Sequence, residues 1–227
     1  MTANVITLLR IPLLALVVGL LYNPAPGPRF LAAGLVVLLI LLDSLDGVVA
    51  RALRQTSVMG SVLDIAADRA VELALWIVFA DLDLIPVVIP LVVLIRGIFV
   101  DAFRGIAPER GLAPFDLTRS PVSRFLVKSP WLRTPYGLVK AAAFCLLALQ
   151  HGFAVSAVGQ SGEFSRFRLL VVAAQAAAWL ALAFCLVRGI PVLIEAPGTL
   201  MRKSGDDITA SPHVNATAGV DPREHVT

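Results

Sequence analysis

Asp43-Ser44-Leu45-Asp46-Gly47-Val48-Val49-Ala50-Arg51, followed after a short link by Gly60-Ser61-Val62-Leu63-Asp64-Ile65-Ala66-Ala67-Asp68, sets four aspartates into two apolar runs, residues 30–53 and 61–80. Either run is long enough to cross a membrane, which takes roughly 20 mostly apolar residues. Asp43 and Asp46 are three residues apart, Asp64 and Asp68 four, so each pair shares one helix face. An aspartate at the centre of a spanning helix costs roughly 2.5–3.5 kcal/mol, and four left unpaired would cost on the order of 10 kcal/mol. The figure is smaller nearer the cytoplasmic edge, but packing gives no reason to carry any of them.

Outward from this stretch the whole chain keeps the same apolar character. Of its 227 residues 58% are hydrophobic and only 15% charged, with a mean hydropathy of +0.84. A soluble domain carries about 25% charged residues, so the composition places the chain in a membrane. The formal charge of +3 and isoelectric point near 9.2 fit the gathering of Lys and Arg in cytoplasmic loops. No aromatic-studded basic patch argues for nucleic acid. Cys145 and Cys185 lie far apart in apolar stretches and read as small hydrophobes, not a disulfide. His151, His213 and His225 are scattered, without metal-ligand spacing. The N-terminus reads as a retained helix: no cationic region precedes its apolar run, and Arg10 interrupts it.

Six runs qualify as spans: residues 6–22, 30–53, 61–80, 84–104, 136–152 and 167–188. The expected fold is therefore an all-α membrane protein with six transmembrane helices. Residues 23–29, with three prolines and a glycine, form a turn, as do Asp81–Asp83. Arg51 and Arg54, the seven basic residues of segment 104–140, and Arg188, Arg202 and Lys203 all fall on one side of six crossings. Both termini join them there, and that side is cytoplasmic. Arg29, Arg166 and Arg168 are the minority on the other side. The domain division is residues 1–195 for the membrane unit and 196–227 for a polar, disordered tail. Counting 1.5 Å per residue from Phe30 puts Asp43 roughly 20 Å into a core about 30 Å thick, below the cytoplasmic interface.

Spans two and three are consecutive and joined by a short link, so they run antiparallel and can be neighbours. Their facing aspartate pairs would form a cluster that cannot stay ionised without cations. Hard oxygen ligands without Cys or His select magnesium, manganese or calcium, not zinc. Gly47 and Ala50 lie on the Asp46 side, and Gly60 lies one turn before Asp64, leaving room for a bulky anionic ligand. Arg51 follows at the helix end, where a guanidinium can grip phosphate oxygens. Metals, small residues and an arginine together are a phosphoryl-transfer layout.

The complete pattern, Asp-x2-Asp-Gly-x2-Ala-Arg-x8-Gly-x3-Asp-x3-Asp, resembles the signature of the CDP-alcohol phosphatidyltransferase family. The six-helix layout is similar to that family too. Asn4-x2-Thr7-x2-Arg10 resembles the opening of many bacterial members, where it lies near the nucleotide. The resemblance implies that Asp43, Asp46, Asp64 and Asp68 ligate two divalent ions, magnesium or manganese. It implies that Asp68 also serves as base for the acceptor hydroxyl. Gly47, Ala50, Arg51 and Gly60, with Asn4 and Thr7, would line the site of the donor, CDP-diacylglycerol. A small polar alcohol would attack the lipid-bearing phosphorus, and CMP would leave. A homodimer in a bacterial inner membrane, its active site toward the cytoplasm, is implied likewise.

The acceptor side is less sharply drawn. Arg96 within the fourth span is costly if unpaired, and Arg104 lies about 80° from it around the helix, so the two can flank one cavity. An acceptor carrying phosphate would need such residues. Lys128, Arg133 and Lys140 are further candidates, although the positive-inside rule accounts for such residues by itself. Trp131 and Tyr136 read as interfacial anchors. Family members that use glycerol 3-phosphate usually show a Gly-Lys-x-Lys-Thr-like run after the fourth span. This chain has Lys128-Ser129-Pro130-Trp131-Leu132-Arg133-Thr134-Pro135-Tyr136-Gly137 there. The acceptor stays open among glycerol 3-phosphate, an inositol phosphate, serine and another alcohol. Blander readings stand beside these. The aspartates can form a structural ion-pair cluster with Arg51 and Arg69, Gly47 and Ala50 can be helix-packing positions, and Asn4 and Thr7 can be helix-start residues. A CDP-choline or ethanolamine-type phosphotransferase acting on a lipid alcohol is the alternative enzyme. An intramembrane cation transporter is a rival of another class, against which stands the lack of repeated halves.

Overall fold

Backbone polar groups cannot stay unpaired in lipid, so a chain of this composition forms helices or a closed barrel. Its Leu- and Ala-rich runs favour the helix. The structure is a computed structural model that describes residues 2–52, 58–106, 120–128, 130–156 and 164–209. Among the described residues there are seven helices and no strand: α1 (Thr2–Leu21), α2 (Pro26–Ala52), α3 (Val58–Asp81), α4 (Val88–Ile106), α5 (Pro121–Lys128), α6 (Pro130–Ser156) and α7 (Phe164–Thr209). The all-α expectation holds, and α5 is an addition to the six expected runs.

Pro26–Asp43, Thr134–Ala154 and Phe167–Thr199 are long and apolar enough to cross a membrane, and α1 contributes the shorter apolar stretch Leu9–Leu21. α3 and α4 have 24 and 19 residues. Their apolar runs are broken by Asp64, Asp68, Arg69 and Glu72 on one and by Arg96, Asp101 and Arg104 on the other.

The helices alternate in direction, as their end-to-end contacts show. At one end the Tyr22 hydroxyl donates to Asp81, joining the C-terminal ends of α1 and α3. His151 near the end of α6 bonds the Leu21 carbonyl at 2.9 Å. Phe30 at the start of α2 meets Phe153 edge-on, with centroids 4.8 Å apart. A Cβ on Gly152 would come 3.0 Å from that Phe30 ring, so a glycine is needed there. The charged residues named above collect at the opposite end. Between the ends lies one apolar core, with Val17, Val36, Leu75, Trp76, Phe79, Ile89, Leu147 and Ala178 buried in it. Trp76 and Phe144 pack edge-on at 4.8 Å. Small residues, Ala174, Ala178 and Ala181, let α7 approach closely, the usual way membrane helices gain packing contact.

Three differences from the sequence reading have physical causes. α4 starts at Val88, not at residue 84, because α3 ends in a Schellman cap. Leu84 N–H bonds the Phe79 carbonyl at 2.9 Å, Asp83 N–H bonds the Ala80 carbonyl at 3.1 Å, and Asp83 takes φ 56°. Leu84 and Phe79 are both buried, which adds the apolar contact of that motif. Gln175 from α7 donates to the Leu84 carbonyl. Secondly, α7 continues through Pro191 and Pro197 to Thr209. Ala196, placed at the head of the tail, is fully buried with Val192 against Val100 of α4. Packing on α4 overrides the proline and glycine that suggested a boundary; residues 210–227 lie outside the described residues. Thirdly, α2 and α3 come together through α1, which packs on both, and the close partners of α3 are α1 and α4.

Candidate active site

At the charged end of the bundle two corners form side by side. The first is acidic. Asp43 lies toward the end of α2, and Asp64 and Asp68 lie in the first half of α3. Arg10 of α1 is buried at 3% exposure, and its Nη1 stands 2.7 Å from Asp68 Oδ1 and 3.0 Å from Asp43 Oδ1. One guanidinium nitrogen thus bridges carboxylates from two helices. The two carboxyls are within hydrogen-bonding reach of each other, and Asp64 lies in the field of both Asp68 and Arg10. Asp43 and Asp68 remain 43% and 46% exposed, so they open outward while Arg10 is closed off behind them.

This corner allows a test of whether the residues suit a divalent ion. Carboxylates of α2 and α3 already converge on a single positive centre, and every donor is a hard oxygen, the type magnesium, manganese and calcium take. Among the described residues no three such side chains are grouped tightly enough to hold an ion. Asp46, the fourth acid of the pattern, lies outside the residues whose side chains are described. The donor set fits an ion shared between the two helices. Asn4, Thr7, Gly47, Ala50, Arg51, Lys128 and Arg133 also lie outside the described side chains; Gly60 is described, partly buried in the first turn of α3.

The second corner is basic and is built on α3, α4, α6 and α7. Arg69 grips Asp101 with both arms of its fork, Nε to Oδ2 at 2.8 Å and Nη2 to Oδ1 at 3.1 Å, the strong bidentate geometry. Glu72, 7% exposed, gathers three donors: Arg69 Nη1 at 3.3 Å, Lys140 Nζ at 3.3 Å and the Tyr136 hydroxyl at 3.2 Å. Lys140 and Arg188 stand 5.7 Å and 5.8 Å from the centre of the Tyr136 ring, within cation–π range. Arg96 is buried in the same region, in the field of Tyr136 and Cys185. Arg104 is within electrostatic reach of Arg96, Arg188, Arg69 and Asp101. Lys140 also reaches Asp43 electrostatically, so it stands between the corners.

The structure brings Arg96, Arg104 and Lys140 together, as the sequence reading expected. It adds Arg69, Arg188, Glu72 and Tyr136. Arg69, weighed as a partner of the motif aspartates, pairs with Asp101 and Glu72 instead, and Arg10 takes the aspartates. Tyr136 is no simple interfacial anchor, since its hydroxyl is committed to a buried carboxylate. Two signals were present in the sequence. Glu72 extends the Asp64, Asp68 row by one more helical turn, and an arginine inside the first span calls for an acidic partner.

Comparison with known proteins agrees with the motif. The family model described as CDP-alcohol phosphatidyltransferase matches residues 1–187. The comparison with curated proteins gives no match. The matched span takes in α1 to α6 and α7 as far as Val187, and so all the corner residues named above except Arg188. The chain therefore belongs to the CDP-alcohol phosphatidyltransferase family, membrane transferases of phospholipid biosynthesis that use divalent metal ions and pass a substituted phosphate from a CDP-alcohol to an alcohol acceptor.

Proposed function

We propose that the protein moves the phosphatidyl group of CDP-diacylglycerol to the hydroxyl of a small polar alcohol that itself carries phosphate, releasing CMP. The observation that supports this reading most is the placement of an acidic corner and a basic corner side by side, with Lys140 between them. A neutral acceptor gives no reason for so many cations within one helical bundle, where an unpaired charge is costly.

In this reading Asp43, Asp46, Asp64 and Asp68 hold two divalent ions, magnesium or manganese. Such ions, when bound, neutralise the pyrophosphate and steady the leaving CMP. Gly47, Ala50 and Gly60 leave room for the pyrophosphate near the backbone, and Arg51 grips its oxygens. Asn4 and Thr7 approach the nucleotide from α1. Asp68 takes the proton of the acceptor hydroxyl; the alcohol oxygen then bonds the lipid-bearing phosphorus, and the bond from that phosphorus to CMP breaks. Arg96, Arg104 and Lys140, with Lys128 and Arg133 from α5 and α6, hold the acceptor phosphate. Six helices cross a bacterial inner membrane with both termini cytoplasmic, the site opens to the cytoplasm, and two copies pair as a homodimer. The departure from the Gly-Lys-x-Lys-Thr-like run leaves the polyol of the acceptor to be identified.

The test is CMP release from CDP-diacylglycerol by the purified protein against glycerol 3-phosphate, an inositol phosphate, free inositol and serine. Turnover with a phosphorylated acceptor is expected. Turnover with serine or free inositol alone would refute the phosphate reading while leaving the family intact.

A further inference from the structure

We infer that Gly189 on α7 is a positioning residue for the acceptor phosphate, because it provides the space in which the Arg96 side chain lies. The inference rests on Arg96 belonging to the acceptor site. Arg96 stands at mid-length in α4 and is only 8% exposed, and its Nε has no hydrogen-bond partner among the described residues. A buried guanidinium nitrogen without an acceptor is unfavourable unless a ligand provides one.

The stem of Arg96 lies directly on the backbone of α7. A Cβ on residue 189 would stand 2.5 Å from Arg96 Nε, 2.6 Å from Cγ and 3.1 Å from Cδ. Real Cβ atoms do not approach this closely, and the atoms met belong to the stem, not to a mobile tip. The smallest substitution would therefore force the whole side chain into another rotamer. Moving the helices apart is no escape, because Val100, Val192 and Ala196 are closely packed between α4 and α7 just beyond this point. The neighbouring glycine differs. A Cβ on Gly97 would meet Arg69 Nη1 at 3.8 Å, an ordinary contact. Gly189 thus decides where the Arg96 guanidinium is aimed without touching substrate itself.

The experiment measures KM for donor and acceptor, and kcat, in Gly189→Ala, Arg96→Ala, the double variant and Gly97→Ala. CDP-diacylglycerol is the donor, and the acceptor is the phosphorylated alcohol that supports CMP release, glycerol 3-phosphate being tried first. Gly189→Ala should raise the acceptor KM roughly 10- to 100-fold, the range for a lost charge-assisted hydrogen bond, with donor KM unchanged. Gly97→Ala should leave the acceptor KM unchanged. In the Arg96→Ala background Gly189→Ala should add nothing, since the side chain it displaces is gone. If Gly189→Ala has no effect, or if the two effects multiply, the inference is overturned and the role of Arg96 stands. If Arg96→Ala itself leaves the acceptor KM unchanged, the acceptor reading fails and the inference with it. Should Gly189→Ala not fold, recovery of folding in the double variant supports the collision, and failure of both overturns it.

Discussion

Replacing Arg10 by methionine keeps the length and apolar stem of the side chain and removes the guanidinium that bridges Asp43 and Asp68. Its Nη1 makes contacts of 2.7 Å and 3.0 Å, and a hydrogen bond to a charged group contributes about 1.5–3 kcal/mol. Both partners are more than 40% exposed, so solvent screening reduces each contact toward or below the lower end of that range. The two bonds also share one nitrogen. Against the loss stands relief for Arg10 Nε, which is buried without a partner; its removal returns about 1 kcal/mol. The balance is a destabilisation of about 1–2 kcal/mol, or roughly 2–8 °C in melting temperature for a chain of this size. The assay is thermal unfolding of the purified protein in detergent, with chelator and with saturating magnesium. The full deficit is expected with chelator. With magnesium it should shrink, because a divalent ion held by Asp43 and Asp68 neutralises the same oxygens, and magnesium should bind Arg10→Met more tightly than the parent. An equal deficit under both conditions would refute the argument that Arg10 and the metal share those carboxylates.

Three further outcomes are expected. Exhaustive chelation should abolish CMP release, and magnesium or manganese should restore it; turnover that survives chelation would remove the four-aspartate metal site. Glu72→Gln should lower the melting temperature by roughly 4–12 °C, from about 2–3 kcal/mol for a buried acid taken from its cationic partners. The double variant Glu72→Gln/Lys140→Met should be more stable than Glu72→Gln alone, and a simple sum of the two losses would show that the pair is not coupled. Reporter fusions after Thr227 and within residues 160–166 should lie on opposite sides of the membrane, and the same side for both would overturn the six-span topology.

The fold class was legible because the apolar runs are unambiguous, and the acidic corner because the motif fixes which residues must meet. The basic corner was only half legible. Arg96 stood out as an expensive residue within a span, and Arg104 followed by helical geometry. Arg188 had a sufficient topological explanation and gave no further signal, since a sequence cannot distinguish a cation placed by orientation from one placed by a ligand. The cap at Asp83 was hidden for a different reason. Leu84 and Ile85 are apolar enough to extend a span, and only the left-handed backbone of the preceding residue turns the chain away. The course of α7 beyond Pro197 depended on burial of Ala196 against α4, a tertiary contact that composition does not report. The role of α1 was missed because helix adjacency was inferred from chain order, whereas the aspartates of α2 and α3 are joined by an arginine from outside the pair.

The separation of the corners has a consequence for how any substitution here should be interpreted. Two unit charges 5 Å apart interact by about 3 kcal/mol at an effective dielectric constant of 20. Two anionic substrates brought to one site therefore repel each other by an amount comparable to a binding contact, and each needs its own counter-charge. The chain divides that task by helix: acids that suit metal ions lie on α2 and α3, and cations that suit a second phosphate lie on α4, α6 and α7. Changes at Asp64 or Arg96 should then fall mainly on one substrate each. Lys140 and Glu72 form the seam, since Lys140 pairs with Glu72 at 3.3 Å and faces Asp43 as well. Substitutions there should disturb donor and acceptor together. That makes the KM pattern across these positions, more than the activity of any one variant, the quantity that distinguishes two adjoining sites from a single undivided charged cavity.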